Sequence, residues 1–168
     1  AQTKEWLKLK NLDVFDLGNP RKWEEVRIED PTAEVLSAHL ILGVKNWEKP
    51  KSEQQMKARC VAGGHDVRDV FGQKAPAEEL HGRSTSLAET RFMIAHGLAK
   101  GSCWQLDVDS AYLLAPLKGV KKWVRLPKWI CEAEGIEPGS VLMLRKAMYG
   151  LHRAGFDWTD ELSSKLTD

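Results

Sequence analysis

Two carboxylates separated by one residue, Asp107 and Asp109, are the clearest candidate for chemistry in this sequence. At the two-residue period of a β-strand they point to one side, while Trp104, Leu106 and Val108 point to the other. Such a strand would hold two hard oxygen ligands next to each other, and Mg²⁺ prefers ligands of this type. The same spacing is also typical of the solvated face of a half-buried sheet. The pair alone therefore does not distinguish a metal site from a solvent-exposed strand face, and the neighbouring residues are needed for that.

A second pair, Lys57 and Arg59, occupies alternate positions of a predicted strand and therefore shares one face. Cations placed this way can neutralise phosphate groups through charge-assisted hydrogen bonds. The alternative is the charged outer face of a hairpin, and the sequence leaves both open.

Residues 110–131 contain five basic side chains and no acidic one. Trp123 and Trp129 are interleaved with them, a combination that could line a groove following a nucleic-acid backbone. A solvated edge strand is the other interpretation. The candidate nucleic-acid contacts within this run are Lys121, Lys122 and Arg125. A zinc site is not indicated, because the histidines and cysteines lack a Cys-x₂-Cys or His-x₃-His spacing.

The elements expected to position these residues can be read from hydrophobic periodicity. Strands are predicted at 35–44 and 55–62, forming a hairpin, and residues 65–83 have loop composition. Ser86-Leu87-Ala88-Glu89 is a capping box, which predicts a helix ending near Gly101. The helix stripe comprises Leu87, Arg91, Ile94 and Leu98.

After the acidic strand, further strands are predicted at 121–127 and 141–145, followed by a last helix over about 149–166. This order of strands and helices indicates an α+β fold. Residues 1–33 are weakly patterned and are predicted to be an irregular N-terminal extension. Residues 34–168 then form the principal domain.

Composition bounds the class of protein without identifying a partner. The 168 residues are 29% charged and 42% hydrophobic, which is typical of a globular chain, and the net charge of +1 gives no global attraction to nucleic acid. No apolar run is long enough to span a bilayer. Three widely spaced cysteines predict a reducing compartment, the cytoplasm or nucleus. The absence of an initiator Met predicts a processed or excised piece of a longer protein.

Four blocks follow the order and spacing of a known family, the reverse transcriptase domain of copia-type retrotransposons. The resemblance covers roughly residues 34–166. The blocks are Lys57-Ala58-Arg59-Cys60-Val61-Ala62, Gln105-Leu106-Asp107-Val108-Asp109-Ser110-Ala111-Tyr112-Leu113, Trp123-Val124-Arg125-Leu126-Pro127, and Leu144-Arg145-Lys146-Ala147-Met148-Tyr149-Gly150-Leu151-His152-Arg153-Ala154 with Trp158.

The resemblance implies the fingers and the first part of the palm of a right-hand polymerase. It implies that Asp107 is the catalytic carboxylate and a metal ligand, with the backbone carbonyl of Val108 completing one metal site. Asp109 falls at a variable position of the family. Among the nucleotide-binding residues, Lys57 and Arg59 would face the triphosphate. Tyr112, otherwise a core aromatic, would lie under the sugar.

The same resemblance assigns Gly150 and the residues after it to the support of the templating base. The implied cofactor is Mg²⁺, since nucleotidyl transfer uses two metal ions about 4 Å apart. The implied partner of the full-length parent is an RNA or DNA template-primer.

The family's second carboxylate block, Tyr-x-Asp-Asp, does not occur in these 168 residues. The matched blocks also depart from the family at Gly63-Gly64, at Ala115-Pro116 and at His152-Arg153-Ala154-Gly155. With one of three metal-binding aspartates, the chain alone is predicted not to polymerise.

Three functions are therefore consistent with the sequence. The first is a reverse-transcriptase-like fragment of a retroelement polyprotein. The second is a non-catalytic, repurposed structural or scaffolding subunit, with a protein partner covering the incomplete palm. The third is a plain single-stranded nucleic-acid binder, whose salt-dependent affinity would drop when Lys121, Lys122 and Arg125 are neutralised.

Overall fold

The computed structural model describes residues 1–76 and 85–167, and this part of the chain is a mixed α+β fold, as predicted. It contains six α-helices and a five-stranded sheet. The helices are α1 (Gln2–Asn11), α2 (Trp23–Glu29), α3 (Leu87–Ala99), α4 (Ala111–Leu114), α5 (Lys128–Glu134) and α6 (Ala154–Thr167). The strands are β1 (Arg21–Lys22), β2 (Glu34–Lys45), β3 (Gln55–Ala62), β4 (Lys122–Arg125) and β5 (Ser140–Met143). Positions 77–83 of the predicted loop lie outside the described residues.

The sheet has the order β1-β5-β4-β2-β3, and β2 is its longest strand. Residues 34–37 of β2 pair with β4 in parallel, and residues 38–45 pair with β3 in antiparallel orientation. The predicted hairpin is confirmed. Its outer half is a two-stranded ribbon that leaves the body of the sheet.

Residues 1–33 are not irregular, and that prediction is wrong. Helix α1 buries Trp6 and Leu9, which are three residues apart and therefore on one helical face. Val14 and Phe15 follow and join the same core as Leu36 of β2. The apolar spacing was present in the sequence, but the lysines around it obscured the pattern. The domain division itself stays a prediction.

The predicted capping box of α3 is present. Ser86 Oγ accepts from the backbone N–H of Glu89, and Glu89 Oε2 accepts from the backbone N–H of Ser86, at 3.2 and 2.7 Å. The predicted buried stripe is not observed, since the side chains of α3 are exposed. Capping depends on local groups alone, whereas burial needs another element, and α3 packs against none in the described part of the chain.

The acidic stretch is not a strand, contrary to the prediction. Residues 102–108 have no regular secondary structure, and Trp104 and Leu106 are 86% and 88% exposed. An alternating pattern becomes a strand only when a neighbouring strand pairs with its backbone. None of the described residues supplies that neighbour. The last helix also begins later than predicted, at Ala154, because residues 149–150 and 152–153 form turns.

The three cysteines differ sharply in environment, and this gives a simple prediction. Cys60 and Cys131 are buried, and Cys103 is exposed. Burial, with a smaller contribution from Glu5, raises the pKa of Cys60 to about 12. Because the thiolate is the reactive species, we expect a thiol reagent at pH 8 to label Cys103 rapidly and Cys60 only after unfolding.

Titration with Ellman's reagent, before and after denaturation, measures this difference. The burial of neutral Cys60 should contribute fully to stability below pH 9, the ordinary pKa, and be lost as the pH rises toward about 12. Rapid labelling of Cys60 in the folded chain would contradict the packing described here.

No helix in the described ranges is long and apolar enough to cross a membrane.

Candidate functional site

The β2–β3 hairpin carries two exposed cations on one face, and one of them lies against an aromatic ring. Lys57 and Arg59 lie opposite Gly43 and Ile41 in the antiparallel register, so they share a face of the ribbon, and both are exposed. The guanidinium carbon of Arg59 lies 5.0 Å from the centre of the Tyr149 ring. This cation–π contact anchors one of the two cations while leaving the face open.

The turn at Tyr149 and Gly150 is joined to the end of β3 through backbone contacts. The N–H of Ala62 donates to the carbonyl of Tyr149 at 2.7 Å. Gly150 has φ +96°, and a Cβ at this position would lie 2.1 Å from the carbonyl oxygen of Ala62. A Cβ on Gly64 would lie 2.1 Å from the carbonyl oxygen of Gly150. Both glycines are therefore needed for the close approach of these backbones, which gives Gly64 a role in packing.

Tyr112 of α4 completes the aromatic pair. Its ring centre lies 5.3 Å from that of Tyr149, at an interplanar angle of 51°. Tyr112 is half-buried, and the preceding residue, Ser110, is buried with the left-handed value φ 62°. The reversal at Ser110 turns the chain from the exposed acidic segment into α4, which places Tyr112 beside Tyr149.

Asp107 and Asp109 have different surroundings, and only Asp109 forms an ion pair among the described residues. Both carboxylate oxygens of Asp109 lie 3.2 Å from the ammonium of Lys8 in α1. The hydrogen bond from Lys8 is the largest cause of a lowered pKa at Asp109, and Lys57 adds a smaller electrostatic contribution. Asp107 is exposed, in the extended segment just before this contact.

Helix α1 supplies site residues that were not predicted from the sequence. Besides Lys8, its Glu5 accepts a hydrogen bond from the backbone N–H of Cys60 at 3.0 Å, and so fixes α1 along β3. The helical spacing of Trp6 and Leu9 could have identified α1 as an amphipathic helix. Nothing local in the sequence indicates that it lies beside β3, because Glu5 and Cys60 are 55 residues apart.

A cleft of about 730 Å³ lies between α1 and β3. Lysines dominate its charged lining, with the carboxylates of Glu5 and Asp109 both engaged in the contacts just described. Leu7 and Met56 contribute apolar wall. The cleft is thus a basic, partly apolar recess beside the hairpin cations. The lysines that line it are Lys4, Lys8, Lys45 and Lys57.

The described residues do not fit a magnesium centre. No group of three or more His, Cys, Asp or Glu side chains in them is arranged to hold a metal ion. Asp107 is a single exposed carboxylate, and Asp109 is bound to Lys8. Mg²⁺ requires several oxygen ligands in nearly octahedral geometry, so no chemical step through a metal can be derived for this chain.

The predicted groove residues Lys121, Lys122 and Arg125 do not form a common surface. Lys122 is 4% exposed and forms an ion pair with Glu34, so its ammonium cannot face an external phosphate. Lys121 is exposed and lies 3.8 Å from Asp30, and Arg125 is half-buried. β4 is a central strand, between β5 and β2, which also excludes the predicted edge strand. The basic character of residues 110–131 does not indicate that the Lys122 side chain is buried.

Two known proteins are similar in sequence to this chain. The sequence is 29% identical over 153 residues, 89% of this chain, to the "Retrovirus-related Pol polyprotein from transposon RE2" of Arabidopsis thaliana. It is 32% identical over 125 residues, 73% of this chain, to the corresponding polyprotein from transposon RE1 of the same plant. This chain is similar in sequence to part of two retrotransposon polyproteins. The similarity supports the predicted retroelement origin.

The matched stretches cover 10% and 8% of those two polyproteins, so the chain spans about a tenth of their length. No protein-family model matches the sequence. No solved structure matches it either.

Proposed function

We propose that this retrotransposon-related chain is the fingers and the first part of the palm of a reverse transcriptase, and that the base of its hairpin holds a nucleoside triphosphate. One observation carries the proposal. Lys57 and Arg59 share an exposed face, the guanidinium of Arg59 lies over the Tyr149 ring, and Tyr149 packs against Tyr112. These residues come from three separate sequence blocks, and the fold brings them to one place.

Within this proposal each side chain has a defined task. Lys57 and Arg59 bind phosphate oxygens, where fixed positive charge lowers the energy of the polyphosphate in its bound geometry. The Tyr112 ring, supported by Tyr149, lies under the sugar and leaves little room for a 2′-hydroxyl. The Gly150 turn fixes Tyr149 relative to β3 and supports the templating base.

Catalysis belongs to the longer parent in this proposal. Asp107 and the Val108 carbonyl would contribute to a magnesium centre whose other carboxylates come from a Tyr-x-Asp-Asp block in the parent. The parent's template-primer, RNA or DNA, would be the partner.

The isolated 168-residue chain is expected to show no primer extension with Mg²⁺, because it lacks two of the three family carboxylates. A gel assay with labelled primer-template and all four deoxynucleotides measures this directly. The control is a viral reverse transcriptase under the same conditions. Magnesium-dependent extension by the purified chain would show that the carboxylates missing from this chain are not needed.

A second candidate function, a non-catalytic scaffolding subunit, is favoured by the exposed apolar side chains of α3 and residues 102–108. Phe92, Met93, Leu98, Trp104 and Leu106 are each more than 60% exposed. Apolar surface of this extent is typical of sites that contact a protein partner. The reading frame of the gene separates the two functions. A downstream Tyr-x-Asp-Asp block favours the polymerase, and a native stop codon after Asp168 favours the subunit.

A further inference from the structure

Strand β3 forms one edge of the sheet, and its outward backbone groups are only partly occupied. The N–H of Ala62 donates to a backbone carbonyl at 2.7 Å, and the N–H of Cys60 donates to Glu5 Oε1 of α1 at 3.0 Å. Both N–H groups point away from β2, because paired and outward residues alternate along an antiparallel strand. By the same alternation, the N–H and C=O groups of Met56 and Ala58 also point outward.

The unoccupied part of this edge faces the cleft between α1 and β3. No residue that the structure describes forms a hydrogen bond with the outward groups of Met56 or Ala58, and both residues line the cleft. Met56 is 62% exposed and Ala58 is 6% exposed, so the open edge narrows toward Cys60. An unpaired edge is a template for one more strand, and natural proteins usually cover it. The cleft therefore offers space beside an edge that can pair with an added strand.

The charges around the cleft favour an acidic occupant. Lys4, Lys45 and Lys57 line it and form no ion pair with any described residue. The two carboxylates in the lining, Glu5 and Asp109, are already engaged by the backbone of β3 and by a lysine of α1. An incoming strand that carries carboxylates would therefore supply the opposite charge that this part of the chain lacks.

The two faces of the β2–β3 ribbon differ, and this sets the pattern of an incoming strand. Lys45 and Lys57 lie on one face, whereas Met56 and its partner Val44 lie on the other. Leu7 of α1 adds apolar wall to the cleft. Because successive side chains of a strand point to opposite faces, an added strand fits best when acidic and apolar residues alternate.

Two other occupants fit this edge less well. The phosphates of a nucleic acid accept hydrogen bonds but donate none, so they would leave the carbonyl oxygens of Met56 and Ala58 without partners. The β3 strand of a second copy would place Lys57 and Arg59 against cations of the same kind, since β3 contains no carboxylate. A peptide backbone has both donors and acceptors, at the spacing that the edge requires.

We propose that the edge of β3 at residues 55–58 binds an extended peptide segment of another protein, in which acidic and apolar side chains alternate. The segment adds a sixth strand to the sheet. Its backbone pairs with Met56 and Ala58, its carboxylates contact the lysines of the cleft, and its apolar side chains contact the opposite face. Main-chain hydrogen bonds provide affinity in this mode of recognition, and alternate side chains provide specificity. The proposal concerns the edge of β3, and so it does not depend on the triphosphate site.

Fluorescence anisotropy with a labelled peptide of about six residues, alternating glutamate and valine, tests the proposal on the full chain. Met56→Pro is the principal variant, since proline removes the outward N–H and leaves the hydrogen bonds to β2 in place. Met56→Ala is its matched control, because it shortens the same side chain and keeps the N–H. Lys4→Ala with Lys45→Ala is compared with Lys100→Ala and Lys128→Ala, which removes equal charge elsewhere. Circular dichroism confirms that each variant is folded.

Peptide controls separate strand pairing from charge alone, and they use the unmodified chain. One control has the same composition, with the glutamates and valines in two blocks. Two others carry N-methyl groups on all the glutamates or on all the valines, which removes the N–H groups along one edge of the peptide. Only the peptide edge that faces β3 needs these groups. One methylated peptide should therefore bind like the parent peptide, and the other should not.

We expect Met56→Pro to weaken binding of the alternating peptide about tenfold or more, and Met56→Ala to weaken it less than about threefold. The lysine pair should weaken it about fivefold, and its control should leave it unchanged. Equal binding by Met56→Pro and wild type, by the two methylated peptides, or by the alternating and block peptides would overturn the proposal, as would absence of binding by wild type. Displacement by oligo(dT) as effective as that by unlabelled peptide would also overturn it and assign the cleft to nucleic acid.

Discussion

Replacing Gly150 with Ala is expected to lower the free energy of unfolding by about 3 kcal/mol, because two costs combine at one position. The residue has φ +96°, where a Cβ is strained by about 1–2 kcal/mol. The new Cβ would also lie 2.1 Å from the carbonyl oxygen of Ala62, so the turn must move away from β3. That movement disturbs the hydrogen bond from Ala62 to Tyr149, worth about 1 kcal/mol.

Thermal unfolding followed by circular dichroism should show a melting temperature about 6–12 °C lower for Gly150→Ala. Gly139→Ala is the matched control, since Gly139 also has a positive φ, +89°, but has no atom within 4 Å of an added Cβ. Gly139→Ala should therefore lower the free energy of unfolding only by the backbone strain, about 1–2 kcal/mol. Equal losses in the two variants would mean that the contact between the Gly150 turn and β3 contributes nothing.

The second large effect is expected at Asp157, whose side chain is fully buried. Its two oxygens accept hydrogen bonds from Nε and Nη2 of Arg153, both at 2.9 Å, and Arg153 is itself only 7% exposed. Asp157→Asn keeps the shape of the side chain and removes its charge. The buried guanidinium then loses its bidentate carboxylate, which costs about 3 kcal/mol for pairs of this kind.

Chemical denaturation measures the loss at Asp157, and Asp160→Asn is the control. Asp160 lies three residues further along α6 and forms an ion pair with Lys118 at the surface, where both side chains are about half exposed. Solvent screens such a pair, so its removal should change the denaturation midpoint little. If Asp157→Asn were as mild as Asp160→Asn, the ion pair with Arg153 would not stabilise the fold.

The elements predicted correctly are those specified by nearby residues. Alternation over 55–62 and the reversal after Lys45 identify the hairpin, and Ser86 with Glu89 identifies the start of α3. The acidic stretch shows the opposite case. Its alternation is as regular as that of β3, but a strand also needs a neighbouring strand to pair with its backbone. The residues of the stretch do not determine whether such a neighbour exists.

Tertiary partners explain the remaining differences at the candidate site. Lys122 was predicted to contact nucleic acid, but in the fold it forms an ion pair with Glu34, which is 88 residues away in the sequence. The spacing of Asp109 from Asp107 suggested a metal ligand, but in the fold the ammonium of Lys8 in α1 lies 3.2 Å from the Asp109 carboxylate. By contrast, the predicted nucleotide-binding residues Lys57, Arg59, Tyr112 and Gly150 came from the family resemblance. The fold places Arg59 and Tyr112 against Tyr149, next to Gly150, and leaves Lys57 on the same face of the ribbon as Arg59. Their binding role stays a prediction.

Binding of a deoxynucleoside triphosphate to the 168-residue chain tests the central claim most directly. Isothermal titration compares wild type with the double variant Lys57→Ala and Arg59→Ala, and with Lys100→Ala and Lys128→Ala as a control that removes equal charge elsewhere. We expect wild type and the control to bind alike and the hairpin variant to bind at least tenfold more weakly, with tripolyphosphate competing. Unchanged affinity in the hairpin variant, or no binding by wild type, would contradict the proposed triphosphate site.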